Sequence, residues 1–113
     1  MANAFRGEVS IADGAYRLVC DFNALCEIEG YFDDDIDAAL QKIDAGNLTL
    51  KEQRAVVAAL LRHHMPGVNS RIAGEIIGEA YEEMREAILR TIALAMPEPD
   101  PEKKPARRET AQD

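Results

Sequence analysis

Glu8-Val9-Ser10-Ile11-Ala12-Asp13-Gly14-Ala15-Tyr16-Arg17-Leu18-Val19-Cys20 is the stretch that decides the fold class. Val9 and Ile11 alternate with Glu8 and Ser10. Tyr16, Leu18 and Cys20 alternate with Arg17 and Val19. Period-two alternation on both sides of a turn reads as a pair of strands. Asp13-Gly14, inside Ala12–Ala15, suits the positive φ angles of a tight hairpin. A lone hairpin is marginal in water, so its apolar face must lie on something else. Its outer strand offers unpaired backbone groups, a possible docking edge.

What it lies on follows directly in the chain, where the period changes from 2 to 3.6. Asp21 is placed to cap a helix. Phe22, Leu25, Cys26 and Ile28 or Glu29 repeat at helical spacing, ending near Gly30. Tyr31-Phe32 leads into Asp33-Asp34-Asp35. A second short helix follows with Ile36, Ala39, Leu40 and Ile43 on one side, and Gly46 ends it. Thr49-Leu50-Lys51-Glu52 matches a capping box. The helix it opens has Val56, Val57, Leu60 and Leu61 on its buried face, and Pro66-Gly67 stops it. Asn69 or Ser70 starts a helix carrying Ile72, Ile76 and Ile77, with Gly78 as its break or kink. A last helix runs to about Met96 with a stripe of Tyr81, Met84, Ile88, Ile92 and Ala95. The expected fold is therefore α+β: an N-terminal β-hairpin packed on a bundle of about five short helices. Residues 1–96 form the single domain. From Pro97 the apolar period vanishes and four prolines fall among charges. Residues 97–113 read as a disordered tail.

The 113 residues suffice for one modest core. The chain has no Trp, so Ala, Leu, Ile and Val must build that core. Net charge is −8. The tail holds five acids and four bases, a net −1, which leaves −7 on residues 1–96. Such a body repels a phosphate backbone unless cations cluster, and Arg54, Arg62 and Arg71 are spread out. Neither nucleic acid nor an anionic membrane is an expected partner. No run approaches the ~18 apolar residues of a membrane span. No basic region followed by an apolar stretch opens the chain, so the expected location is cytoplasmic. Cys20 and Cys26 read as small buried hydrophobes in apolar patterns.

No constellation of a catalytic kind emerges. Asp33, Asp35, Asp37 and Asp44 are spaced somewhat like a calcium loop, but its template wants Gly and Glu where Ala38 and Asp44 stand. A helix start with acids at its positive end explains them better. His63-His64 point about 100° apart on a helix and make no two-ligand clamp. Ser10 and Ser70 lie in no nucleophile elbow, and Cys26 has no basic sequence neighbour to activate it. Gly74 and Gly78 form a Gly-x-x-x-Gly spacing, which in a soluble acidic chain reads as close helix packing or a kink. The chain is expected to be no enzyme, with no cofactor and no metal. Tyr31 and Phe32, two aromatics at a helix end beside acids, are either core or a contact patch, and they are the candidate partner-binding residues.

Several segments resemble a known family. They are the opening Met1-Ala2-Asn3-Ala4-Phe5-Arg6-Gly7-Glu8-Val9, the strand start Tyr16-Arg17-Leu18, Phe22-Asn23-Ala24-Leu25-Cys26-Glu27-Ile28-Glu29, and Gly46-Asn47-Leu48 before a capped helix. Together they resemble the small tail proteins of phages and gene transfer agents, over roughly residues 1–96. The Pro66-Gly67 joint and the charged tail depart from that pattern. Members are sometimes labelled tail tube proteins. The role the resemblance implies is that of a tail assembly chaperone. Such a protein coats the tape measure protein, keeps it soluble, helps recruit tail tube subunits, and then leaves. Self-association remains open. The alternatives are a structural tail tube component and a small helical DNA-binding regulator. The first needs more strands than one hairpin, and the second needs a basic face.

Overall fold

The computed structural model describes residues 6–96. Strands β1 (Gly7–Ile11) and β2 (Tyr16–Cys20) pair antiparallel, with Gly7 opposite Cys20 and Ile11 opposite Tyr16. Ala12, Asp13 and Gly14 take φ of 53°, 55° and 87°, so the left-handed turn begins one residue before Asp-Gly. Ala12 is an uncommon residue there. Its amide is held by Glu83 Oε2 at 3.3 Å. Five helices follow: α1 (Phe22–Tyr31), α2 (Ile36–Ala45), α3 (Leu50–Leu61), α4 (Ser70–Glu79) and α5 (Tyr81–Ala95). The architecture is α+β, as the change of period indicates. The expected tail, 97–113, lies outside the described residues.

Side chains that bond backbone amides start four of the helices. The Ala24 amide donates to Asp21 Oδ1 at 2.9 Å and the Ala38 amide to Asp35 Oδ1 at 3.0 Å. The Ile72 amide donates to Asn69 Oδ1 at 2.9 Å. The capping box forms in full: the Glu52 amide donates to Thr49 Oγ1 at 3.1 Å, and the Thr49 amide donates to Glu52 Oε1 at 2.9 Å. Each bond satisfies an amide that the first helical turn cannot. Gly46, at φ 72°, ends α2, and its amide and that of Asn47 donate to the Ile43 and Lys42 carbonyls. This left-handed ending favours Gly, which has no Cβ.

The hairpin packs on α5 through β1 and β2, and β2 also packs on α3 and α1. A Cβ on Gly7 would strike the Thr91 carbonyl oxygen and come within 2.8 Å of the Ala95 nitrogen. Glycine is what lets β1 and α5 touch backbone to backbone. Thr91 sits fully buried at this contact because its hydroxyl donates to the Ala87 carbonyl at 2.6 Å. Leu18, Ile28, Val56, Val57, Leu60, Leu61 and Met84 fill the interior.

Several expected details are corrected. Val19, expected on the outer face of its strand, is fully buried because both faces of β2 are covered. Cys26 and Phe22 are exposed, while α1 buries Leu25 and Ile28 as expected and adds Ala24. Cys20 is buried as expected. The helix containing Gly78 does not break there but runs on to Glu79, and the joint is Ala80. Helix α3 ends at Leu61, before Pro66-Gly67, where the Leu61 carbonyl takes the His64 and Met65 amides. Tyr81 and Ile72 are exposed, while Ala73, Ala87 and Thr91 are buried. Where helices meet closely, the small residues face inward, and a reading weighted by large side chains misses them.

Candidate functional site

Tyr31 is the last residue of α1 and 50% exposed. Phe32 caps the helix and packs half-buried against the core. Their rings meet edge-on at 5.6 Å. The pair therefore divides, with one ring packed and one presented to solvent.

The remaining chemical candidates are largely occupied. His64 Nε2 lies 3.2 Å from Glu8 Oε2, and His63 Nδ1 lies 3.5 Å from Asp21 Oδ2. Glu8 also pairs with Arg6 and Arg17. Burial alone would raise the Glu8 pKa, but bonds from Arg6 and Arg17, with His64, outweigh it and hold the carboxyl below its usual range. Among the described residues no three His, Cys, Asp or Glu side chains are grouped to hold a metal ion. Asp33 and Asp34 take left-handed φ values, and Asp35 is a helix cap. A cleft of about 470 Å³ beside α1 is lined by Asp21, Cys26, Glu27, Arg62 and His63 among others. Its charges are already engaged: Asp21 caps α1, and Arg62 binds Glu27 and the Val68 carbonyl. Burial, then the charge of Asp21, pushes the Cys20 thiol up to about 12, so it is inert at neutral pH.

A different cleft is left unfinished. It opens between the end of α2, the first turns of α3, and the α4–α5 joint. Ile43, Gly46, Leu48, Tyr81, Glu82, Arg85, Glu86, Ile88 and Leu89 line one lobe of about 320 Å³, together with Gln53. Leu50, Lys51, Arg54, Gly74, Ile77 and again Gln53 and Tyr81 line a second of about 210 Å³. Gln53 and Tyr81 line both.

Gln53 is 6% exposed, and its amide nitrogen is fully buried with no hydrogen-bond partner. Leaving such a donor unpaired costs about 1–3 kcal/mol. An apolar residue of similar size would avoid that cost. Gln53 sits in the buried register Gln53, Val56, Val57, Leu60 of α3. Nearby apolar side chains also remain in solvent: Leu50 is 77% exposed and Leu89 43%. Arg85 lies over the Tyr81 ring at 5.9 Å. The wall at α2 and α3 is tied together, because Glu52 closes the capping box and accepts from Lys42 Nζ at 2.9 Å. Lys42, then the Thr49 amide, holds the Glu52 carboxyl below its usual range.

Hydrophobic periodicity does not single out Gln53. Its signal is a polar residue one turn ahead of Val56 and Val57 on an otherwise apolar face, but polar residues at helix starts are common enough to hide it. The cleft itself arises from a joint at Ala80 that Gly78 disguises.

No family model, no curated protein and no solved structure matches this chain. No helix among the described residues is long and apolar enough to cross a membrane.

Proposed function

We propose that this chain is a phage-type tail assembly chaperone, binding the tape measure protein and helping to recruit tail tube subunits. The observation that carries the protein-binding part is the cleft floored by an unpaired Gln53 amide and edged by exposed Leu50 and Leu89. Exposed leucines beside a buried polar side chain left unpaired suit a partner that covers the first and gives the second an acceptor to turn to. The tail-assembly part comes from the resemblance in the hairpin, in Phe22–Glu29 and in Gly46–Leu48. The acidic body suits a protein that must keep an aggregation-prone client in solution.

Against a tube subunit stands the two-stranded sheet, the only sheet among the described residues. The test is co-expression with a candidate tape measure protein from the neighbouring genes, with mass spectrometry of finished particles. Rescue of the client's solubility, with this chain absent from particles, is the expected result. Many copies per tail would make the tube reading the better one.

A further inference from the structure

An occupant of the cleft has to meet three demands. It must bring an acceptor that Gln53, which lines both lobes, reaches by turning its side-chain amide, since the nitrogen lies covered by protein. It must cover Leu48, Leu50, Ile77 and Leu89, which are half-buried or exposed. It must also answer four charges that have no ion-pair partner among the described residues. Glu82 and Glu86 edge one lobe, with Arg85 between them turned over Tyr81. Lys51 and Arg54 edge the other. The cleft is therefore polarised, acidic at one end and basic at the other, with the orphan donor between.

The lining comes from helices and their joints. An extended segment laid there would bury its own amides without a strand edge to pair them. A helix pairs its amides internally, yet its last turn keeps up to four free carbonyls and a partial negative charge. We infer that the cleft receives the C-terminal turn of an amphipathic helix from a partner protein, an assignment that rests on the chaperone reading only for the partner's identity. The last carbonyls of that helix accept from Gln53 once its amide turns into the cleft, and they face Lys51 and Arg54. Its apolar stripe covers Leu48 and Leu89. Lys or Arg beside the stripe meets Glu82 and Glu86.

The probe is a labelled amphipathic peptide of about 18 residues, long enough to hold a helix, with one leucine stripe and flanking lysines. Its affinity is read by fluorescence anisotropy against the full chain and three variants. Gln53→Met is expected to bind about tenfold more weakly, close to one hydrogen bond's worth, without any fall in melting temperature. The double variant Glu82→Gln/Glu86→Gln should lose most of the salt dependence of binding. Lys51→Gln/Arg54→Gln should weaken it as well. A peptide of the same composition broken by a central proline should bind worst.

Unchanged affinity in Gln53→Met overturns the assignment, and so does equal binding of the broken peptide. Amide shift changes confined to Tyr31–Phe32 would do the same. Dimerisation of this chain that Gln53→Met abolishes would replace the partner helix with a second copy. Tape measure capture that survives Gln53→Met sinks the cleft assignment and spares the chaperone reading. Peptide binding at the cleft without tape measure capture does the reverse.

Discussion

Helix α5 serves two surfaces that are built in opposite ways. One face carries the hairpin, from Glu83, which holds the Ala12 amide, to Thr91 and Ala95, where Gly7 leaves no gap and the buried Thr91 hydroxyl is satisfied within the helix. Another face, from Tyr81 to Leu89, borders a cleft where a buried amide is unpaired and leucines face water. The first surface has nothing left to gain from a partner. The second has both polar and apolar surface that only a partner can complete. The difference separates what holds the fold from what the fold offers, on one helix of 15 residues.

Damage to the finished side should cost stability and leave binding alone. Leu60 is fully buried under that core, and Leu60→Ala should lower unfolding free energy by about 2–5 kcal/mol in urea titrations. A loss under about half a kcal/mol, the size expected at an exposed surface position, would place that face at the surface. Gly7→Ala should cost about 2–3 kcal/mol, because the methyl meets backbone atoms that cannot swing aside. Wild-type stability in that variant would mean that β1 and α5 are not in contact.

The cleft's wall should respond more gently. Thr49→Ala removes a cap and should cost about 1 kcal/mol by thermal melting. Glu52 adds a pH signature. Its pKa in the fold is lowered, so its contribution is complete above the usual carboxylate range and is lost as pH falls through the lowered value. Glu52→Gln should therefore flatten the acid limb of the stability curve. An unaltered acid limb would contradict the Lys42–Glu52 tie. The smallest effect on the fold concerns the thiols. At neutral pH a maleimide should label exposed Cys26 and leave buried Cys20 untouched until denaturant is added. Equal labelling of both would show the hairpin face to be open.

These contrasts also explain what can be read from the residues alone. Strand pairing, the Asp21 cap, the Gly46 ending and the capping box are local chemistry, complete within a few residues, and each is legible. Which face of a helix turns inward is legible where large side chains decide it, as at Val56 and Leu60. It is not where alanines do, as in α1, whose exposed Phe22 outweighs buried Ala24 in the pattern. Val19 escapes the pattern because burial of both strand faces depends on α1 and α3 arriving from elsewhere in the chain. The cleft is invisible for the same reason. It is made by Leu48, Gln53 and Tyr81, which only the tertiary fold brings together, and its telling feature is a hydrogen bond that is absent.

The most direct measurement is a pair of numbers on one variant, the melting temperature of Gln53→Met and its affinity for a soluble tape measure fragment. The account predicts that they move apart, with the melting temperature equal or higher, because an unpaired buried donor has been removed, and the affinity about tenfold lower. A fall in melting temperature with affinity unchanged would make Gln53 an ordinary structural residue and contradict the claim that the cleft is built for a partner.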